Sequence, residues 1–226
     1  MAAYRAVVFD VDGTLTPVRS VWKHLHEALG LWDGAAMGHQ RAFEAGEIGY
    51  REWCALDAAH WTGRRVSELK EIADMIPYRD GARESVAALR AGGTLVGIVT
   101  TGLNLLAERV RDDLRLDHAI CNRLESRAGI LTGQVEINVE HDRKNEALER
   151  FCRRFNLSPD QVVAIGDSEG DIPMFRMAGF SVAVCPSSRR TADAASVVLQ
   201  DESLAGLLAL LPAARPEGSR MPAGSR

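Results

Sequence analysis

The apolar positions of this chain follow two different rhythms. Residues 6–9, Ala-Val-Val-Phe, are apolar on both faces and read as a strand buried inside a parallel sheet. Pro17 closes that region, and Ser20 is placed to cap a helix running to about Gly30, with Val21, Trp22, Leu25, Ala28 and Leu29 at helical spacing. The helical rhythm continues from Trp32 to Ile76, with breaks near Gly34, at residues 46–49 and at Thr62-Gly63. Trp53, Leu56 and Trp61 suit one apolar face, and Val66, Leu69, Ile72, Ala73 and Ile76 another. The pattern predicts an all-helical insert over residues 17–76 that carries every tryptophan of the chain.

From residue 77 strands alternate with helices. Helices are predicted over 81–91, 103–113, 143–155, 172–177 and 204–211, with a helical turn started by Ser158-Pro159. Strands are predicted over 94–99, 119–121, 162–165, 181–184 and 197–199, and residues 122–139 read as a hairpin turning at Ala128-Gly129. Such alternation implies an α/β fold: a Rossmann-like parallel sheet with helices on both faces and right-handed crossovers. The small helical cap is inserted after the first strand. The expected division is a core of residues 1–16 and 77–211, a cap of 17–76, and a disordered tail of 212–226, rich in proline and glycine and without an aromatic.

Composition narrows the classes. With 46% hydrophobic and 26% charged residues the chain is ordinary for a globular protein, and a net charge of -4 gives no general attraction to nucleic acid or anionic membrane. Cys54, Cys121, Cys152 and Cys185 are scattered without a Cys-x-x-Cys pair, which argues against a zinc site or disulfide framework and fits a reducing compartment. No apolar leader precedes Asp10 and no run reaches membrane-span length, so a cytoplasmic location is expected. His24, His26, His39 and His60 lack metal-ligand spacing and read as packing residues. Nothing in the sequence reports the oligomeric state. Only Lys23, Lys70 and Lys144 are lysines in a strongly arginine-preferring chain, which gives weight to a lysine in an apt position.

Three predicted strands end in polar residues: Asp10-Val11-Asp12-Gly13-Thr14, Thr100-Thr101-Gly102, and Gly166-Asp167-Ser168-Glu169-Gly170-Asp171. In a parallel sheet these ends meet at one edge, where ligands bind. Asp10 and Asp12, two positions apart, can face one small site, and two such close carboxylates require a cation or a proton between them. Each motif alone is an ordinary turn or cap; together, in this order, they fit phosphoryl transfer through an aspartyl-phosphate. Asp10 would be the nucleophile and Asp12 the acid and base. Asp10 and Asp167 would hold Mg2+, with Asp171 in support, and Lys144 would supply a point charge. Thr100 and the backbone amides around Thr101 and Gly102 would donate to phosphoryl oxygens.

These motifs, with Ile98-Val99 before Thr100 and Lys144 between the second and last, resemble the four motifs of the haloacid-dehalogenase superfamily of phosphatases over residues 5–211. The helical insert and Gly129-Ile130-Leu131-Thr132-Gly133 resemble the phosphoserine-phosphatase-like branch. The resemblance implies that Asp12 also lends a backbone carbonyl to the Mg2+, and that the partner is a small-molecule phosphomonoester. Departures are visible too. Arg19 stands where phosphoserine-hydrolysing members carry glutamate, Gly170 where they usually carry asparagine, and Arg51 is a loose counterpart of the cap arginine. The charge inversion at Arg19 points away from phosphoserine, toward a substrate with an extra anionic or hydroxyl-rich group bound by Arg19 and Arg51. A phosphotransferase or mutase of the same chemistry, a dehalogenase (against which Asp12 speaks) and a non-catalytic metabolite-binding module remain the competing readings.

Overall fold

The computed structural model describes residues 4–212, so the predicted tail lies, from residue 213 onward, outside the described residues. The chain begins with β1 (Ala6–Phe9), followed by α1 (Val21–Ala28), α2 (Gly34–Glu44), α3 (Tyr50–Ala59), α4 (Val66–Asp74) and α5 (Ala82–Ala91). Then come β2 (Leu95–Leu103), α6 (Asn104–Asp113), β3 (His118–Arg127), β4 (Ile130–Glu136), α7 (Lys144–Phe155) and β5 (Val162–Gly166). The chain closes with α8 (Ile172–Met177), β6 (Phe180–Val184), α9 (Arg189–Ala194), β7 (Val197–Leu199) and α10 (Leu207–Leu210). No helix among the described residues is long and apolar enough to cross a membrane.

The seven strands form one sheet in the order β4-β3-β2-β1-β5-β6-β7, parallel except for the β3–β4 pair. β1 therefore lies between the two strands that carry the other motifs. Its register sets Phe9 beside Ile98 on one side and Ile165 on the other, so the polar residues that follow each strand emerge side by side. Strand alternation divides the core. Val7 and Phe9 face a cluster that runs on into Trp22, Trp53, Trp61 and Leu69 of the helical segment, while Ala6 and Val8 face Leu148 and Phe151 of α7. In the helical segment the buried Asp57 of α3 meets His26 of α1 and His39 of α2, each with a nitrogen 3.5 Å from one carboxylate oxygen. The His26 ring also packs against Trp61, with centroids 4.7 Å apart.

Several boundaries differ from the pattern. β2 runs on through Thr100-Thr101-Gly102 and shifts register against β3 between Val99 and Leu103, so the second motif sits within an irregular strand end. The short strand expected at 119–121 is the first half of the ten-residue β3, which pairs with β2 and then with β4. The hairpin turns as expected, with Ala128 and Gly129 both at positive φ (50° and 77°). The last helix is shorter than expected, a 3-10 turn over Leu204–Gly206 followed by α10. α9 was not expected: six residues are too few to show a period, although Ser188 caps it by accepting from the Thr191 amide.

α7 holds Lys144 at its first turn, and its seat on the sheet depends on Gly97. A Cβ there would lie 2.3 Å from Cε2 of the fully buried Phe151. Gly97→Val is expected to lower unfolding stability by about 1–3 kcal/mol through overpacking, read as a lower urea midpoint at unchanged m value. An unaltered midpoint would show that α7 does not rest on this contact.

Candidate active site

The loop after β1 is built to turn sharply and present its carboxylates. The Val11 carbonyl accepts from the amides of Thr14, Leu15 and Thr16, and Gly13 takes φ 77°, a conformation open to glycine. A Cβ on Gly13 would stand 2.3 Å from Oδ2 of Asp167, so glycine here lets the loops after β1 and β5 touch. The buried Arg79 clamps the turn from beneath, donating to the Gly13 carbonyl from Nε and Nη2 at 3.2 and 2.9 Å. Sequence reasoning missed Arg79, one arginine among many in this chain.

Asp10, Lys144, Asp167 and Asp171 are all at most 3% exposed. The Lys144 ammonium lies 2.8 Å from Asp10 Oδ1 and 2.6 Å from Asp171 Oδ1. The second oxygen of Asp171 accepts from the amides of Asp167 and Ser168 and from the Ser168 hydroxyl. Asp171 therefore fixes both the lysine and the loop bearing Asp167. Oxygens of Asp10, Asp167 and Asp171 lie within 4.8 Å of one another. Three hard oxygen donors so close and so buried fit a divalent cation of the Mg2+ type. Oδ1 of Asp12 is buried with no hydrogen-bond partner, while its Oδ2 accepts from the Val21 amide at 2.8 Å.

Burial dominates the electrostatics. It raises the Asp10 carboxyl to about 6 against the opposing pull of Lys144. Burial, then the Asp10 charge, raises Asp12 to about 7. Burial, then Asp10 and Asp171, raises Asp167 to about 8 although Arg19 and Lys144 work the other way. Lys144 is pushed down by burial, yet Asp10 and Asp171 overcome this and hold it above its ordinary value, so it stays cationic.

The structure distributes the remaining predicted residues unevenly. Asp10, Asp12, Thr101, Lys144 and Arg19 line one cavity of about 670 Å³. Thr100 is buried beneath it, and its hydroxyl oxygen accepts from the Gly102 amide at 2.9 Å, so that amide is already engaged within the strand end. Arg19 is drawn to the loops after β5 and β6. Its Nη1 donates to Asp167 Oδ2 at 2.7 Å and its Nη2 to the Cys185 carbonyl at 3.2 Å. Arg51 does not line the cavity; it is solvent-exposed and paired with Glu140 at 2.7 Å.

The cavity wall also includes residues that the sequence had not singled out. Trp22, Phe43, Tyr50 and Trp53 form an aromatic side with ring centroids 5.5–5.8 Å apart. Of these, Trp22 and Trp53 stand at apolar helical positions in the sequence, and helical spacing does not separate a core face from a cavity wall. The buried Asn122 ties the region together, donating to the Thr101 carbonyl, the Tyr50 hydroxyl and the Val139 carbonyl. His141 lines the cavity beside Gly170, where a Cβ would come 3.1 Å from its Nε2, so the glycine in the last motif leaves this imidazole its space. Burial, then Lys144, lowers the His141 pKa.

This combination of a parallel sheet, an acidic loop after its central strand and a lysine bridging two carboxylates is that of the haloacid dehalogenase-like hydrolases. The model of that family matches residues 7–176, and the chain belongs to the family. Among curated relatives, the phosphoserine phosphatase of Archaeoglobus fulgidus is 32% identical over 208 residues, 92% of this chain; the match spans 60% of that protein's length. The phosphoserine phosphatase of Lactococcus lactis is 31% identical over 186 residues, 82% of this chain and 85% of its own. Among solved structures, a substrate-bound phosphoserine phosphatase complex superimposes with a TM-score of 0.81 at 22% identity, over 94% of this chain and 100% of that one.

The raised carboxyls give a signed pH dependence. The folded, metal-free chain holds protons on Asp10, Asp12 and Asp167 that the unfolded chain, with carboxyls near 3.8, has released. Their contribution to stability is therefore fully present below about pH 4 and is lost as pH rises through about 6 to about 8. The Tm in excess chelator is expected to fall across this range, and Asp167→Asn to flatten its upper part. A Tm in chelator that rises from about pH 5 to about pH 8 would contradict this reading.

Proposed function

We propose that this chain is a Mg2+-dependent phosphomonoester phosphatase acting on a small phosphorylated metabolite through an aspartyl-phosphate on Asp10. The observation that carries this reading is the buried Asp10 carboxylate at the end of the central strand, 2.8 Å from Lys144 and open to the cavity that Asp12 also lines. Asp10 attacks phosphorus and the ester P–O bond breaks, while Asp12 delivers a proton to the departing alkoxide oxygen. Asp12 then takes a proton from water as that water attacks phosphorus, releasing inorganic phosphate and freeing Asp10. A carboxyl near 7 suits both proton transfers at neutral pH.

Asp10 and Asp167, with the backbone carbonyl of Asp12, would hold the Mg2+, and Asp171 would keep Asp167 and Lys144 in place. When bound, the cation offsets the repulsion between carboxylate and phosphate, about 4 kcal/mol per charge pair at 4 Å and an effective dielectric near 20. Lys144 contributes a permanent positive charge to the transferring group. The leaving group lies toward Trp22, Phe43, Tyr50 and Trp53, with Ser20, Lys23, Gln40 and Glu44 at the polar rim. The relatives named as phosphoserine phosphatases make phosphoserine a substrate to be tested beside other small phosphomonoesters.

The test is a screen of phosphorylated metabolites, scored by phosphate release with Mg2+ and with chelator. Activity is expected to require Mg2+, and Asp10→Asn, nearly isosteric, to fall below about 1% of wild type while keeping its fold, because an amide forms no acyl-phosphate. Substantial turnover by Asp10→Asn would overturn the covalent route. Transfer to an acceptor without free phosphate would replace hydrolysis with phosphotransfer.

A further inference from the structure

Arg19 occupies an unusual seat. Its guanidinium donates at 2.7 Å to Asp167, a carboxylate whose side chain is 3% exposed, although the arginine itself is 51% exposed. The other end of the fork is held by the Cys185 carbonyl. Cys185 has φ 40°, a conformation rare for a residue with a side chain. Its amide is held by Leu199 and its thiol donates to the carbonyls of Gln200 and Asp201. The backbone after β6 is thus fixed in a strained form that turns a carbonyl toward Arg19. Charge gives this seat its meaning. Asp10, Asp12, Asp167 and Asp171 meet here, and Lys144 is bonded to only two of them. Asp167 takes its direct positive contact from Arg19, a long side chain anchored at the edge of the cavity.

We propose that Arg19 is a resident counter-cation of the metal-free site, competing with the divalent cation for Asp167 and released from it when the cation binds. The consequence is that Arg19 weakens metal affinity while stabilising the protein in the absence of metal. It is a positioning residue, acting on the reaction through Asp167.

The inference rests on the reading of Asp10 and Asp167 as Mg2+ ligands. Isothermal titration of substrate-free, full-length protein with Mg2+ at about pH 8.5, where Asp167 is largely ionised and its proton does not compete with the cation, repeated with Mn2+ without oxygen and followed by electron paramagnetic resonance, tests it. Arg19→Gln is expected to bind both cations roughly three- to tenfold more tightly than wild type, a Coulomb effect reduced by the exposure of the arginine. In chelator its Tm should be lower than that of wild type, and the Tm rise on adding Mg2+ larger. Arg19→Lys keeps a charge but loses the fork, and its affinity should fall between the two. Equal or weaker binding by Arg19→Gln would overturn the proposal, since Arg19 would then be neutral toward the metal or orient Asp167 for it. Absence of Mg2+ and Mn2+ binding to wild type would instead remove the metal reading itself, so the two failures are distinguishable. Should Arg19→Gln fail to fold, Arg19→Lys carries the affinity comparison alone, with equal or weaker binding again decisive against the proposal.

Discussion

The structure depends on keeping several carboxylates out of water in one place. Taking a charge out of water costs several kcal/mol unless it is paired, and Asp10, Asp167 and Asp171 are at most 3% exposed. The fold answers with Lys144, whose ammonium bridges Asp10 and Asp171. Much of the nearby architecture serves that bridge. Gly97 lets Phe151 sink onto the sheet and so brings the start of α7 to the central strand. The amides of Asp167 and Ser168 hold Asp171, and Arg79 pins the loop that carries Asp12. A buried ion pair of this kind adds little to stability by itself; its worth lies in fixing charged groups at defined positions.

The central half of this design was legible in the sequence. A four-residue run apolar on both faces requires a strand buried on both sides, and the observed register then sets three polar strand ends in line. The lysine stood out because lysine is scarce here. Less legible were contacts made by residues with no periodic or compositional mark. Arg79 and Asn122 act through backbone carbonyls distant in the chain, and Cys185 acts through its own carbonyl. Tryptophans at helical spacing can equally fill a core or line a cavity, and here Trp61 does the first while Trp22 and Trp53 do both.

Arg19 and Arg51 show where charge reasoning needs coordinates. The sign of Arg19 and its closeness to the first motif place it near the substrate, whereas Arg51 is expected there only as a loose counterpart of a cap arginine in the resembled family. Arg51 is turned outward to Glu140, as an exposed residue of an amphipathic helix commonly is. Arg19 does enter the cavity, but its partner is Asp167, at a separation of 148 residues that no local spacing reveals.

The β3–β4 hairpin reaches beyond the sheet. The Gly63 amide donates to the Leu131 carbonyl, the Leu131 amide to the Arg64 carbonyl, and the Val66 amide to the Gly129 carbonyl. Gly133 lies so near Thr62 that a Cβ would stand 2.0 Å from its hydroxyl oxygen. The helices over the cavity are therefore stitched to the sheet's own edge as well as joined to it by the chain at either end. Parting them from the strands means unpicking that backbone seam, so an edge hairpin with no residue in the cavity wall takes part in holding the cavity's roof in place.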